Sequence, residues 1–366
     1  MATRRRGSSR GLSGGNRLTP LIVIDADVLG RRRTGDETYV RALLRELPPL
    51  VDGERLAAVT RRPELVPEGI EPIELPARSQ MVRMALGFPR LLRRLRPSVA
   101  HFNYVIPRGY RGRSVVTVHD LSFEHMPELM PLRDRLLFRT FVPRSVARAD
   151  RVLAVSELTK RDLVERYGIP EQKIVVTPNG VDEIFHPNGD APERAPYALF
   201  VGAIQPRKDP LTAVEALALL DGELGLLVVG PEKSGAQELR AAVRRLGLDS
   251  RVELAGHVEH EELAALYRGA ACLVFPSRYE GFGLPVLEAM ASGTPVVAAA
   301  TGALPEIAGD AAILVEPANP VALAGGIERA LADRERLVAA GLERASLFSW
   351  TETARRTLDV YRELAA

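Results

Sequence analysis

A chain of 366 residues with 46% hydrophobic content is long enough for two domains and can bury a sizeable core in each. Its formal net charge of +2 hides an asymmetry: residues 1–190 hold 32 Lys and Arg against 23 Asp and Glu, and residues 191–366 hold 17 against 24. One cysteine, Cys272, excludes an intramolecular disulfide and fits a reducing, cytoplasmic setting, and no run approaches the roughly 20 apolar residues that a membrane-spanning helix needs.

Residues 1–17 are basic and rich in Gly and Ser, without the apolar run of a signal peptide, so a disordered tail or a cloning remnant is expected there. A first α/β domain is expected over 18–190. Leu21–Ile24 opens it as a strand and ends in Asp25-Ala26-Asp27. Gly30-Arg31-Arg32-Arg33-Thr34-Gly35-Asp36 follows, then a helical pattern from Glu37 to Leu47; Gly35, near the helix start, is where backbone can approach a phosphate. Leu56–Thr60 and Ile70–Leu75 are expected strands. From Met81 to Arg96 the residues Met84, Phe88, Leu91, Leu92 and Leu95 share one helical face, with Arg83, Arg90 and Arg94 on another. That pattern suits a helix packing its apolar side inward or one lying in a membrane interface, and Pro89 argues against one continuous helix. Val99–Phe102 and Val115–Val118 continue the strand rhythm. The second ends in His119-Asp120, and a side chain at the carboxyl end of a parallel strand faces the crevice. Arg133–Arg148 is helical, Val152–Ser156 a strand, and Ser156 the cap of a helix through Tyr167. Ile174–Thr177 leads into the turn at Asn179-Gly180, with the linker expected within Phe185–Pro196.

The second domain is expected over 191–349. Tyr197–Gly202 is its first strand, followed by Arg207 and Lys208 just before a helix, the place for cations that hold phosphate oxygens. The chain has only four lysines, which argues against Lys208 as surface filler. Leu226–Val229 is a further strand, and Arg251–Val258 precedes His260 and Glu261, better read as a charged helix start than as a metal site. Cys272–Phe275 is a short buried strand, Ser277–Gly283 a glycine-bearing loop, Leu284–Met290 a helix with Pro285 in its first turn, and Thr294–Ala299 another strand. Glu280 and Glu288 flank this loop and can face one crevice. Ala311–Val315 is a last strand, Val321–Arg344 helical, and Trp350 introduces a terminal helix over 350–366.

Pro276-Ser277-Arg278-Tyr279-Glu280-Gly281-Phe282-Gly283-Leu284-Pro285-Val286-Leu287-Glu288-Ala289-Met290 resembles the Glu-x7-Glu signature of retaining glycosyltransferase family 4, and the form Val118-His119-Asp120 resembles its mannosyltransferase-like branch. The resemblance covers nearly the whole chain from about residue 20 and implies the GT-B fold: two Rossmann-like doubly wound parallel-sheet domains facing an interdomain cleft, with the terminal helix packing back on the first. It implies hexosyl transfer from a nucleotide-diphosphate sugar, GDP-mannose first and UDP-hexose second, to a glycan or lipid-linked acceptor, with retention and neither metal nor other cofactor. It places Gly35 at the cleft border, His119 near the donor sugar's 6-hydroxyl, Arg207 and Lys208 on the diphosphate, and the backbone of His257 and Val258 at the base. Glu280 then meets the sugar hydroxyls with the amides of Gly281, Phe282 and Gly283 beside it, while Leu284 and Glu288 lie on the helix and Glu288 grips the ribose. In this setting Asp25-Ala26-Asp27 is not the metal pair of a GT-A enzyme, because the pair ends the first strand and the diphosphate is already provided for. The basic first half suits an acidic acceptor, peripheral contact with an anionic membrane, or plain solvation; no nucleic-acid partner is called for. A sugar-nucleotide epimerase shares the fold but not the Glu-x7-Glu run, and a dehydrogenase would want a Gly-x-Gly-x-x-Gly that Gly30 and Gly35 do not form.

Overall fold

A computed structural model of the chain describes residues 19–31, 35–76 and 79–366. The expected tail over 1–17, and Arg32 and Arg33 of the arginine loop, lie outside the described residues. Seven parallel strands form one sheet: β1 (Leu21–Asp25), β2 (Arg55–Thr60), β3 (Glu71–Glu74), β4 (Val99–Asn103), β5 (Ser114–Val118), β6 (Arg151–Ala154) and β7 (Ile174–Val176). Six form the other: β8 (Tyr197–Val201), β9 (Gly225–Val229), β10 (Val252–Gly256), β11 (Cys272–Phe275), β12 (Val296–Ala299) and β13 (Ile313–Val315). The spatial orders are β3-β2-β1-β4-β5-β6-β7 and β10-β9-β8-β11-β12-β13, so the winding direction reverses between β1 and β4 and again between β8 and β11. Crevices open at the carboxyl ends of the strands at such reversals.

Strands covered by helices on both faces must be apolar throughout. β5 (SVVTV) and β11 (CLVF) are buried at every position. Burial also pushes the Cys272 thiol up to about 12, which suits a packing group rather than a nucleophile. On one face of the first sheet lie the helices Gly35–Glu46 and Trp350–Ala365, sharing a core that includes Tyr39, Leu43, Trp350 and Leu358. The opposite face is covered by Phe88–Leu95 and Leu132–Arg148, through Phe88, Leu92, Val142 and Val146. The terminal helix thus leaves the second sheet and closes the first. Where it passes, a Cβ on Gly180 would stand 2.1 Å from the Trp350 amide nitrogen, so the turn after β7 has room only for glycine.

Two expectations need correcting. The stretch Val321–Arg344 is not one helix: Pro320–Ala332 and Arg334–Ser346 meet at Asp333. Arg83 does not stand on a solvent face but is fully buried. Pro89 has no N–H and its ring crowds the carbonyl four residues back. The turn Arg83–Gly87 before it opens to π geometry, with the Phe88 N–H bonding the Arg83 carbonyl five residues away. One extra residue in the turn rotates everything upstream of it. Arg83 swings inward, and Met81, Val82 and Leu86 are left 49–59% exposed.

Candidate active site

Both winding reversals deliver chemistry to one cleft of about 490 Å³ between the two sheets. At the second reversal, Arg207 and Lys208 follow β8 and Glu280 follows β11. Lys208 Nζ lies 2.5 Å from Glu280 Oε1, and an Arg207 guanidinium nitrogen lies 3.4 Å from Oε2. Ser277 Oγ donates to Oε1 of the same carboxylate, and Arg207 also donates to the Tyr279 carbonyl at 2.8 Å. Burial opposes ionisation of Glu280, yet Lys208 and Arg207 outweigh it and hold the carboxyl below its ordinary value. Burial also pulls the Lys208 ammonium below its usual value despite the carboxylate beside it. The trio carries two cations and one anion, leaving a net positive spot for an anionic ligand.

Glu280 leads into Gly281-Phe282-Gly283 and the helix Leu284–Ala291, whose first turn holds Pro285, where a missing N–H costs nothing. The glycines are spatial necessities. A Cβ on Gly281 would fall 1.9 Å from the His119 carbonyl oxygen, and Gly283 sits at φ +108° with Leu304 against it. The helix that follows Gly302, Leu304–Ala308, is too short to add much of a dipole. Glu288, one turn into the longer helix, accepts from the Tyr267 hydroxyl at 2.9 Å. Burial pushes it up to about 7, with Asp182 adding to the rise and the Tyr267 hydroxyl and Lys208 offsetting only part of it.

The first sheet supplies the opposite wall. His119 Nε2 donates to Asn103 Oδ1 at 3.1 Å, and the Asn103 amide in turn donates to the Asp25 carbonyl at 3.2 Å. Tyr39 and Tyr104 bracket the imidazole at centroid distances of 4.9 and 5.6 Å. Burial lowers its pKa, which favours the neutral ring. Tyr104 holds φ +60°, a strained setting for a bulky residue, and its hydroxyl accepts from the Asp120 amide at 3.1 Å. Asp120 caps the segment that follows, accepting from the Ser122 amide at 3.0 Å, and so does not orient the histidine through an observed bond. Asp25 and Asp27 are occupied by arginines: Arg83 reaches Asp25 at 2.6 Å and Arg61 reaches Asp27 at 2.8 Å. Among the described residues no three His, Cys, Asp or Glu side chains come together as a metal site.

All twelve residues singled out from the sequence line this cleft: Gly35, His119, Arg207, Lys208, His257, Val258, Glu280, Gly281, Phe282, Gly283, Leu284 and Glu288. Sequence reasoning missed Asn103, Tyr104, Ser277 and Tyr267. Only Ser277, three residues before Glu280, stood close enough along the chain to be noticed.

Residues 181–343 match the family model described as glycosyl transferases group 1, and residues 33–184 match glycosyltransferase family 4. A D-inositol 3-phosphate glycosyltransferase of Kineococcus radiotolerans is 33% identical over 93% of this chain and 89% of its own length. The chain belongs to glycosyltransferase family 4. This glycosyltransferase is also 32% identical to the O-antigen chain mannosyltransferase B of Escherichia coli, over 72% of its own length and 73% of the relative's. Among solved structures, sucrose-phosphate synthase from Thermosynechococcus elongatus superposes with a TM-score of 0.79 at 26% identity, covering 94% of the glycosyltransferase and 99% of that chain. Two parallel-sheet lobes with a cleft between them are the GT-B architecture, so the family and the geometry agree.

Proposed function

We propose that this glycosyltransferase moves a hexosyl group, mannose from GDP-mannose, onto a glycan or lipid-linked acceptor, with retention at the anomeric carbon and without a metal. The observation that carries the reading is the convergence of Arg207, Lys208 and Glu280 beside the Gly281–Gly283 turn, across the cleft from His119. When the donor's glycosidic bond to phosphate breaks, the bonding pair leaves on the nucleoside diphosphate. Fixed cations and backbone amides aimed at that growing charge are worth several kcal/mol, on the order of 3 to 4 for a single donor. Glu288, on the adjoining helix, takes the ribose hydroxyls, and Glu280 takes the sugar hydroxyls. The neutral His119, with its Nε2 proton committed to Asn103, keeps Nδ1 as an acceptor for a sugar hydroxyl. In the same-face route the acceptor oxygen bonds to the anomeric carbon while its proton passes to the departing phosphate oxygen. No carboxylate nucleophile is then required. The mannosyltransferase relative supports mannose as the sugar. A cytoplasmic setting belongs to the same proposal, with the lone Cys272 buried and unpaired.

Thermal unfolding with GDP, UDP, GDP-mannose and UDP-glucose tests the donor. GDP and GDP-mannose are expected to raise Tm more than their uridine counterparts. Arg207→Ala should lose most of that rise, whereas Glu280→Ala should abolish transfer of labelled mannose. No shift with any nucleotide, or undiminished turnover by Glu280→Ala, would overturn the assignment.

A further inference from the structure

The two walls of the cleft differ in charge. Its Lys and Arg side chains among the described residues, Arg207, Lys208 and Lys233, all come from the second lobe, whereas the first lobe contributes the carboxylates Asp36 and Asp120. The surplus of Lys and Arg in residues 1–190 is therefore not found on this wall among the described residues. The same wall carries an apolar shelf. Tyr104, Met130 and Phe138 are half-buried and line the cleft. Phe138 meets the Tyr104 ring edge-on at 5.4 Å, and Phe123 backs it at 5.3 Å. The Tyr104 ring lies 5.6 Å from the imidazole of His119, so the shelf adjoins the histidine assigned to the donor sugar in the proposed reaction.

Two features mark the shelf as built for a ligand. A tyrosine persists at φ +60° only where its surroundings force it, and such strain gathers where a side chain must be aimed. Asp120, beside it, keeps one oxygen for a partner: Oδ1 accepts from the Ser122 amide at 3.0 Å and its hydroxyl at 2.9 Å, while Oδ2 has no partner among the described residues. Burial, with Asp120 and Asp36 adding to it, pushes the Tyr104 hydroxyl well above its ordinary value, so both carboxylates act on the shelf. A pyranose has an apolar face of C–H groups and a rim of hydroxyls. Aromatic rings take the first and a carboxylate oxygen accepts from the second, the division usual in a small-molecule pocket. A phosphorylated acceptor would instead bring its charge against Asp120 and Asp36. The cations nearest across the cleft, Arg207 and Lys208, are engaged by Glu280 and assigned to the donor's diphosphate.

We propose that Tyr104, Met130 and Phe138, with Asp120 Oδ2, form the acceptor subsite and that it takes an uncharged pyranose, one bearing neither phosphate nor carboxylate. The inference rests on the transfer reaction proposed above and specifies its acceptor.

Transfer assays on the full chain test it, with the labelled nucleotide sugar that raises Tm most as donor. Methyl α-mannoside, methyl α-glucoside and methyl α-galactoside serve as neutral acceptors, and D-inositol 3-phosphate and mannose 6-phosphate as charged ones. Label is expected on one or more of the neutral pyranosides, with kcat/KM for either phosphate at least about tenfold lower, since like charge beside Asp120 opposes binding. Asp120→Asn keeps an oxygen for the Ser122 cap and removes the charge. It should raise the acceptor KM about tenfold through the lost charge-assisted bond. It should also narrow the preference for neutral over phosphorylated acceptors, a change that a purely structural role would not produce. Phe138→Ala should raise the acceptor KM by about the same factor, and Phe138→Tyr should restore it. In Asp120→Asn and Phe138→Ala the nucleotide-induced rise in Tm should persist. Equal or faster transfer to a phosphorylated acceptor would overturn the inference. So would label on none of the neutral pyranosides, or an acceptor KM that neither variant moves. Those results leave the donor reading standing, whereas a Tm that responds to no nucleotide would sink that reading and this inference with it.

Discussion

Glu280 and Glu288 stand eight positions apart and are both buried, yet their environments drive them in opposite directions. Glu280 has Lys208 and Arg207 against it and is held below the ordinary carboxylate range. Glu288 has one neutral partner, the Tyr267 hydroxyl, and is pushed up to about 7 by burial. A group whose folded pKa lies above its unfolded value favours the folded state fully at low pH, and that advantage is lost as pH rises through the folded value. For Glu288 the window runs from its reference value of 4.5 to about 7, and the ionised form costs on the order of 3 kcal/mol above it. Glu288→Gln keeps an acceptor for Tyr267 and cannot ionise. Its Tm should exceed that of the wild type at pH 8 and approach it at pH 5, as thermal unfolding across that range would show. The paired glutamates were legible in the sequence as a motif, but their electrostatic division was not. It depends on residues 72, 73 and 21 positions away along the chain, and no local pattern announces such partners.

Among the elements, the central strands were the most legible part, because a strand buried on both faces, such as β5 or β11, declares itself by an unbroken apolar run, whereas the half-exposed edge strand β10 (VELAG) does not. Ser156 was legible as a cap for a physical reason as well, and its hydroxyl accepts from the Thr159 amide at 3.1 Å. The π turn at Arg83–Gly87 was not, since periodicity assumes a constant number of residues per turn and Pro89 alters it locally. The glycine loop gives the sharpest test at this scale. Gly281→Ala must push a new methyl group into the His119 carbonyl, a backbone atom that cannot rotate away, and should cost about 2 kcal/mol or more. Gly325, inside the helix Pro320–Ala332, has nothing within 4 Å of its would-be Cβ. Gly325→Ala should therefore stabilise by roughly 0.5–1 kcal/mol through helix propensity. Urea unfolding of the two variants should move the midpoints in opposite directions.

The two lobes meet through more than the chain connections, and this was invisible in the sequence. The helix Glu157–Tyr167 of the first lobe is gripped from the second at two points. Both carboxylate oxygens of Glu306 accept from its first amides, Glu157 at 2.8 Å and Leu158 at 3.1 Å. Tyr279, next to Glu280, donates its hydroxyl to Asp162 Oδ2 at 2.7 Å while its ring stacks on His125 at 4.5 Å. Ser156 Oγ adds a bond to the Gly281 carbonyl at 2.7 Å. These bonds fix the separation of His119 from the Glu280 loop, and therefore the width of the cleft in which donor and acceptor must meet. An anionic cap on a helix start is worth about 1–2 kcal/mol, and a hydrogen bond to a charged group about 1.5–3. Removing both leaves each lobe's core untouched while taking away several kcal/mol of lobe-to-lobe attraction. Glu306→Ala combined with Tyr279→Phe should therefore increase the radius of gyration in small-angle scattering and lower turnover, with the secondary structure seen by circular dichroism unchanged. An unchanged radius with normal turnover would show instead that the terminal helix from Trp350 to Ala365 and the turn at Gly180 are enough to hold the lobes at their working distance.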